Sequence, residues 1–161
     1  MTSALNPAGF QRFVKMVHAR GMKLIVYLSS GFIFADDPDY KPEWSRGHPY
    51  QELYWNLAWC SPASAGWRAH LLPRLTRILD EYGVDGIYND LGYRRLAGCN
   101  LTPTDDEVLA FEERADHDAA LEDLLALMYA EVKRRGGIVK VHEMGSSAPR
   151  TIAAIGPEKP A

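Results

Sequence analysis

The sequence predicts an α/β protein built on a parallel sheet, and three observations carry that prediction. Short apolar runs of strand type alternate with longer segments of helical period, glycines stop the helical segments, and the central run, Val84-Asp85-Gly86-Ile87-Tyr88-Asn89-Asp90, closes on a carboxylate. Ligands bind at the carboxyl ends of such strands, which puts Asp90 where a reactive group belongs. The order helix, strand, helix, strand, helix, strand is a run of βα units with right-handed crossovers. Such crossovers, without a change of direction, place every helix on one face of the sheet and leave the other face to be covered. In a (β/α)8 barrel the remaining strands cover it, but a full barrel takes roughly 200 to 250 residues, against 161 here. The expected fold class is therefore α/β: a partial (β/α)8 (TIM) barrel with at least three parallel strands and outer helices over residues 1–145, then a loose tail over 146–161.

Asn6-Pro7 opens the first helix, asparagine capping it and proline at the first helical position, where a missing N–H costs nothing. Phe10, Phe13, Val14 and Val17 follow at the spacing of one buried helical face, and Gly21 ends it. Lys23-Leu24-Ile25-Val26-Tyr27-Leu28 is too short for a typical helix and too apolar for a surface strand, so a parallel strand buried on both faces is expected. From Ser29 to Gly66 there is no sustained period, and the run holds Trp44, Trp55 and Trp59 among many other aromatic residues. Long ordered loops in compact domains are usually functional, and aromatic faces suit the apolar faces of sugar rings. Trp55 and Trp59 are therefore candidate substrate-binding residues; the alternative is a satellite core that pins the loop down. Asp36, Asp37 and Asp39 flank Pro38 in the same loop, either as partners for sugar hydroxyls or as a solvated acidic turn; they lack a calcium-loop spacing.

The second helix carries Trp67, Leu71, Leu75, Ile78, Leu79 and Tyr82 and stops at Gly83. Pro73 interrupts it at a cost of about 3 kcal/mol unless the helix bends or begins there, which predicts a kink or a late start near Leu72. After the central strand, Leu91 to Pro103 reads as a second rim loop, and Thr104-Asp105-Asp106-Glu107 as a capping box. Leu121, Leu124, Leu125, Met128 and Val132 continue a helical face, with a break or a solvated stretch expected at Asp116-His117-Asp118. Lys133-Arg134-Arg135 suits the negative end of the helix dipole, and Gly136-Gly137 stops it. The third strand runs from Ile138 through Lys140 and His142 to Glu143.

Composition bounds the function. A net charge of −3 without long runs of one sign argues against nucleic acid or an anionic membrane as partner. No apolar run approaches the roughly 20 residues needed to cross a bilayer, and Met1 to Phe10 lacks the form of a signal peptide, so a cytoplasmic chain is expected, although a longer parent could be secreted. Cys60 and Cys99 belong to no metal-ligand pattern, so neither a zinc site nor a cofactor is expected; they read as small buried residues, with a disulfide the alternative.

Three stretches together, Gly21-Met22-Lys23-Leu24-Ile25-Val26-Tyr27, Glu81-Tyr82-Gly83-Val84-Asp85-Gly86-Ile87-Tyr88-Asn89-Asp90 and Val141-His142-Glu143-Met144-Gly145, resemble (β/α)8 glycoside hydrolases, most closely the α-galactosidase-like clan. The resemblance spans roughly Asn6 to Gly145 and rests on short motifs. It implies that Asp90 is the nucleophile, that Tyr88 stands where the clan has a sugar-binding lysine, and that Glu143 contacts the sugar. The clan's acid/base aspartate lies on the sixth strand, and nothing from Ser146 to Ala161 supplies a strand ending in a carboxylate.

Hydrolysis of an O-glycosidic bond generally takes two carboxyl groups, about 5 Å apart for retention and about 6.5 to 9.5 Å apart for inversion. Asp90 and Glu143 end neighbouring strands about 4.8 Å apart and so suit either range. Asp85 begins the strand that Asp90 ends and reads as a structural cap or ion pair at the opposite end. Lys140 and His142 share one face of their strand. A buried lysine there would support a second chemistry, a Schiff-base lyase or aldolase type, against pairing of Lys140 with a carboxylate such as Asp90. A third reading is a non-catalytic fragment that at most binds sugar. A carbohydrate is the expected partner, with a second copy of the chain as one means of completing the barrel.

Overall fold

The computed structural model describes residues 4–45, 52–53, 56–90 and 117–141. Helix α1 (Pro7–His18) leads into β1 (Ile25–Ser29), then β2 (Phe32–Phe34), a 3-10 turn (Pro42–Ser45), β3 (Glu52–Leu53) and β4 (Leu57–Trp59). Helix α2 (Ala65–Tyr82), β5 (Gly86–Asp90), α3 (His117–Lys133) and β6 (Ile138–Val141) complete the order. Strands β1, β5 and β6 form a parallel sheet in the order β1-β5-β6, with Ile25, Gly86 and Ile138 in register and Tyr27, Tyr88 and Lys140 in register one pleat on. The expected α/β class and parallel sheet are present.

The local causes are visible in the side chains. Asn6 Oδ1 accepts the Gly9 N–H at 2.9 Å and caps α1, and Ser64 Oγ accepts the Trp67 N–H at 3.2 Å and caps α2. Gly83 ends α2 in the left-handed region at φ 66°. Gly86 opens β5 at φ 151°, and a Cβ there would stand 1.8 Å from the Ile138 carbonyl oxygen, so only glycine lets β6 approach β5 at this point. Ion pairs tie α2 to α3 and to the turn that follows it: Arg135, in that turn, forks onto Asp80 at 2.6 and 2.7 Å, and Arg68 reaches Asp123 of α3 at 2.5 Å.

The parallel sheet has two unlike faces. Leu28, Ile87 and Val139 pack with Val14, Leu71, Leu75, Leu79, Leu124, Met128 and Val132 of the helices in one hydrophobic core. The face carrying Tyr27, Tyr88, Ile138 and Lys140 is open: Tyr27 is 61 % exposed and Ile138 42 %. This corrects the expectation that the first strand is buried on both faces. Helices cover one side of a parallel sheet, and the other side of a barrel strand is buried only by the strands across the barrel.

Two further differences have plain physical reasons. The aromatic loop contains its own antiparallel sheet, ordered β2-β4-β3, whose strands of two or three residues are too short to display a period. Helix α2 starts at Ala65 and runs through Pro73 without a late start; Pro73 and Ala69 are both exposed, so water can serve the Ala69 carbonyl that Pro73 leaves without a donor. Helix α3 is described from His117 onward, inside the polar interval where the break was expected, and the residues before it lie outside the described residues. The second rim loop, the capping box at Thr104–Glu107, Cys99 and the tail over 146–161 lie outside the described residues.

Candidate functional site

Asp90 is the last residue of β5 and lies in register with Ser29, the last of β1. Side chains alternate along a strand, so Tyr27, two residues before Ser29, faces the same side as Asp90. The Tyr27 hydroxyl donates to Asp90 Oδ2 at 2.7 Å, whereas Asp90 Oδ1 is buried and has no hydrogen-bond partner among the described residues. The Tyr27 ring meets the Tyr88 ring edge-on, centroids 6.0 Å apart at 78°, and Lys140 Nζ lies 5.3 Å from the Tyr88 centroid. The row Tyr27, Tyr88, Lys140 thus crosses all three strands beneath the Asp90 carboxylate.

The same end is held from behind by buried polar groups. Asn89 is 1 % exposed, and its Oδ1 accepts the Ser30 N–H at 3.1 Å. The Ser30 carbonyl accepts Trp67 Nε1–H at 2.7 Å, which ties the tip of β1 to the start of α2. Ser29 Oγ accepts the Gly31 and Phe32 N–H groups at 3.3 and 3.1 Å and turns the chain into the aromatic loop.

Trp59 is 1 % exposed and packs edge-on against Phe32 at 5.1 Å, while its carbonyl accepts the Ser45 hydroxyl. Trp44 is buried against Trp67 and His70, with ring centroids 5.6 and 4.7 Å away. Trp44 and Trp67 belong to the same hydrophobic core as Leu28 and Leu75, and in this structure the buried Trp59 offers no face to a ligand. Trp55 lies outside the described residues. Asp36 is exposed; Asp37 Oδ1 accepts the Asp39 N–H at 2.9 Å, and Asp39 pairs with Arg74 of α2 at 2.8 Å. Burial works to raise the Asp37 carboxyl, but the Asp39 amide helps to hold it below the usual range. The acidic turn is thereby anchored to α2 on the loop's own side chains.

Cys60 is wholly buried, and burial pushes its thiol up to about 12, which removes it as a nucleophile. Lys140 is exposed on the open face of the sheet. His142 and Glu143 lie outside the described residues. Among the described residues no group of three or more His, Cys, Asp or Glu side chains is placed to hold a metal ion.

At the other end of the strand, Asp85 is fully engaged. Its Oδ1 accepts from Lys23 Nζ at 2.9 Å, and its Oδ2 accepts the Leu24 N–H at 2.8 Å and lies 2.7 Å from His18 Nε2. Burial tends to raise its pKa, yet the Leu24 amide, Lys23 and His18 together bring it down to about 2. This is the structural role expected of it.

The residues that sequence reasoning missed at the upper end are Tyr27, Ser30, Asn89 and Trp67. A signal for Tyr27 was available: aligning Ile25-Val26-Tyr27 with Gly86-Ile87-Tyr88 as adjacent parallel strands sets the two tyrosines side by side, two residues below Asp90.

No protein-family model matches this chain, and no curated protein matches it. Solved structures do. Ega3 of Aspergillus fumigatus, crystallised with galactosamine, aligns at a TM-score of 0.63 and 20 % identity over 90 % of this chain and 53 % of its own. The glycoside hydrolase domain of PelA from Pseudomonas aeruginosa aligns at 0.56 and 24 % identity over 86 % of this chain and 49 % of its own. An α-L-fucosidase of Paenibacillus thiaminolyticus aligns at 0.50 and 13 % identity over 81 % of this chain and 22 % of its own. The chain spans about half the length of the first two. At these identities the likeness is one of fold: the chain has the architecture of part of a (β/α)8 barrel, as its element order predicts.

Proposed function

We propose that this chain is a glycoside-hydrolase barrel segment that binds a carbohydrate at the carboxyl end of its parallel sheet, with Asp90 as the nucleophilic carboxylate. The observation that supports this most is the Asp90 carboxylate itself, which ends the central strand with one oxygen held by Tyr27 and the other without a partner among the described residues. Buried polar atoms are normally satisfied, so an unsatisfied carboxylate oxygen at the ligand-binding end of a barrel strand suits a group kept for a substrate. In the reaction, a lone pair of Asp90 forms the bond to the anomeric carbon as the glycosidic C–O bond breaks. The electron pair leaves with the departing oxygen, which takes a proton from a second carboxylic acid; water then releases the sugar from Asp90. Glu143 is the proposed second carboxyl group or sugar ligand, and Tyr88, Lys140 and His142 are proposed to line the sugar site. The Ega3 complex makes galactosamine-containing glycans the first substrates to try.

The test is turnover of a panel of aryl glycosides, aryl galactosaminides included, by the chain and by Asp90→Asn. Hydrolysis that disappears in Asp90→Asn supports the assignment, and equal turnover by both removes it. A sugar-binding fragment without turnover is a second reading, favoured by the chain's spanning only about half of the neighbours' length. Saturable binding of an oligosaccharide with no hydrolysis would select it. The open Tyr27, Tyr88 and Lys140 face is proposed to be covered by further barrel strands, and light scattering behind size-exclusion chromatography reads whether a second copy supplies them.

A further inference from the structure

We infer that Tyr27 is a positioning residue for Asp90: its phenol occupies Oδ2 and fixes the plane of the carboxylate, leaving the buried Oδ1 as the oxygen whose acceptor capacity is unused among the described residues. This rests on the proposed role of Asp90 and adds a residue from a different strand to that site.

The geometry makes the two oxygens unlike. A free carboxylate turns about its Cβ–Cγ bond and exchanges its oxygens; a 2.7 Å hydrogen bond from a phenol on the neighbouring strand opposes that rotation. Tyr27 lies on the open face of the sheet. It is 61 % exposed, so its ring contributes little to the core, yet its hydroxyl is directed at a carboxylate. The ring is held by the register of the sheet. Tyr88 stands directly across from Tyr27 and meets it edge-on, and Lys140, next in the row, lies over the far ring. Tyr88 therefore acts on Asp90 through Tyr27, as a stop that keeps the phenol upright, which gives a function to the aromatic residue standing where the resembling clan has lysine.

The test that does not depend on turnover is an acid titration of the full chain carrying tyrosine labelled with 13C at Cζ, the Tyr27 resonance being assigned by its loss in Tyr27→Phe and, independently, in Tyr27→Leu. The expected result is an inflection at the Tyr27 Cζ that follows ionisation of Asp90 and vanishes in Asp90→Asn. It should be weaker in Tyr88→Ala, where the phenol is free to swing away. A Tyr27 resonance that titrates identically in the chain and in Asp90→Asn would overturn the inference. Kinetics supply the second readout: Tyr27→Phe should lower kcat about 10-fold with KM little changed, the loss expected for one hydrogen bond to a charged group. That loss should disappear when Asp90 is already Asn, and full kcat in Tyr27→Phe would also overturn the inference. An Asp90-dependent inflection in a chain that hydrolyses nothing would uphold the Tyr27 lock and remove the catalytic proposal alone.

Discussion

Two aspartates border one strand, and the protein treats them oppositely. Asp85, just before β5, has both carboxylate oxygens engaged by an amide, a lysine and a histidine, and is held near a pKa of 2. Asp90, at the far end, has one hydrogen bond and one unsatisfied oxygen among the described residues. In a barrel the amino end of the strands bears stability and the carboxyl end bears chemistry, and the hydrogen-bond inventory of the two carboxylates follows that division. A saturated carboxylate has no remaining capacity for a ligand. An unsaturated one costs stability when empty and recovers it on binding.

The largest effect that would sharpen the contrast is at Asp90. Asp90→Asn is expected to lower turnover by roughly a thousandfold or more, while its melting temperature stays within a degree or two, because the amide keeps the size and shape of the carboxyl group. A variant that unfolds would place Asp90 with Asp85 as a structural residue. Next comes Asp85→Asn, which weakens the contacts to Lys23 and His18 and puts an amide nitrogen near the donors that one oxygen served. Chemical denaturation should show a loss of about 2 kcal/mol, with binding or turnover per folded molecule unchanged.

Acid gives the same information without mutation. Folding lowers the Asp85 pKa from 3.8 to about 2, so its stabilisation is complete above the usual carboxyl range and is lost as pH falls through that window toward 2. Because Lys23 and His18 are partly exposed, the expected loss attributable to Asp85 is about 1 to 2 kcal/mol, smaller than an unscreened conversion would give. Asp85→Asn should flatten that part of the stability curve; a curve of unchanged slope would break the assignment. The smallest effect is at Lys23, whose side chain is 69 % exposed. Lys23→Ala should cost under about 1 kcal/mol, and the difference should shrink further in high salt.

Much of this was legible along the chain, and the failures are informative. Asn6-Pro7, Gly21, Gly83 and Gly136 mark real helix boundaries because caps and left-handed stops depend on neighbours a few residues away. The identification of Asp90 as the end of a strand followed from the same local reasoning. Trp59 shows the limit: an aromatic residue in a long loop reads equally as rim or core, and only the pairing of β4 with β2, which sets Trp59 opposite Phe32, buries it. Pro73 shows another, since the cost of a proline inside a helix depends on whether the orphaned carbonyl reaches water, a fact of exposure that the sequence does not carry.

What the sequence determined by itself was the succession of elements, their stops and the carboxylate at the end of the central strand, all set by interactions within a few residues. Tertiary structure decided which groups meet across the sheet: Tyr27 with Asp90, Trp67 with Ser30, Lys23 and His18 with Asp85. These partners stand some 60 residues apart, or in one case 37, in the chain. Their contact depends on strand register and on which face the helices cover, and both are settled by packing of the whole sheet, where no local period records them.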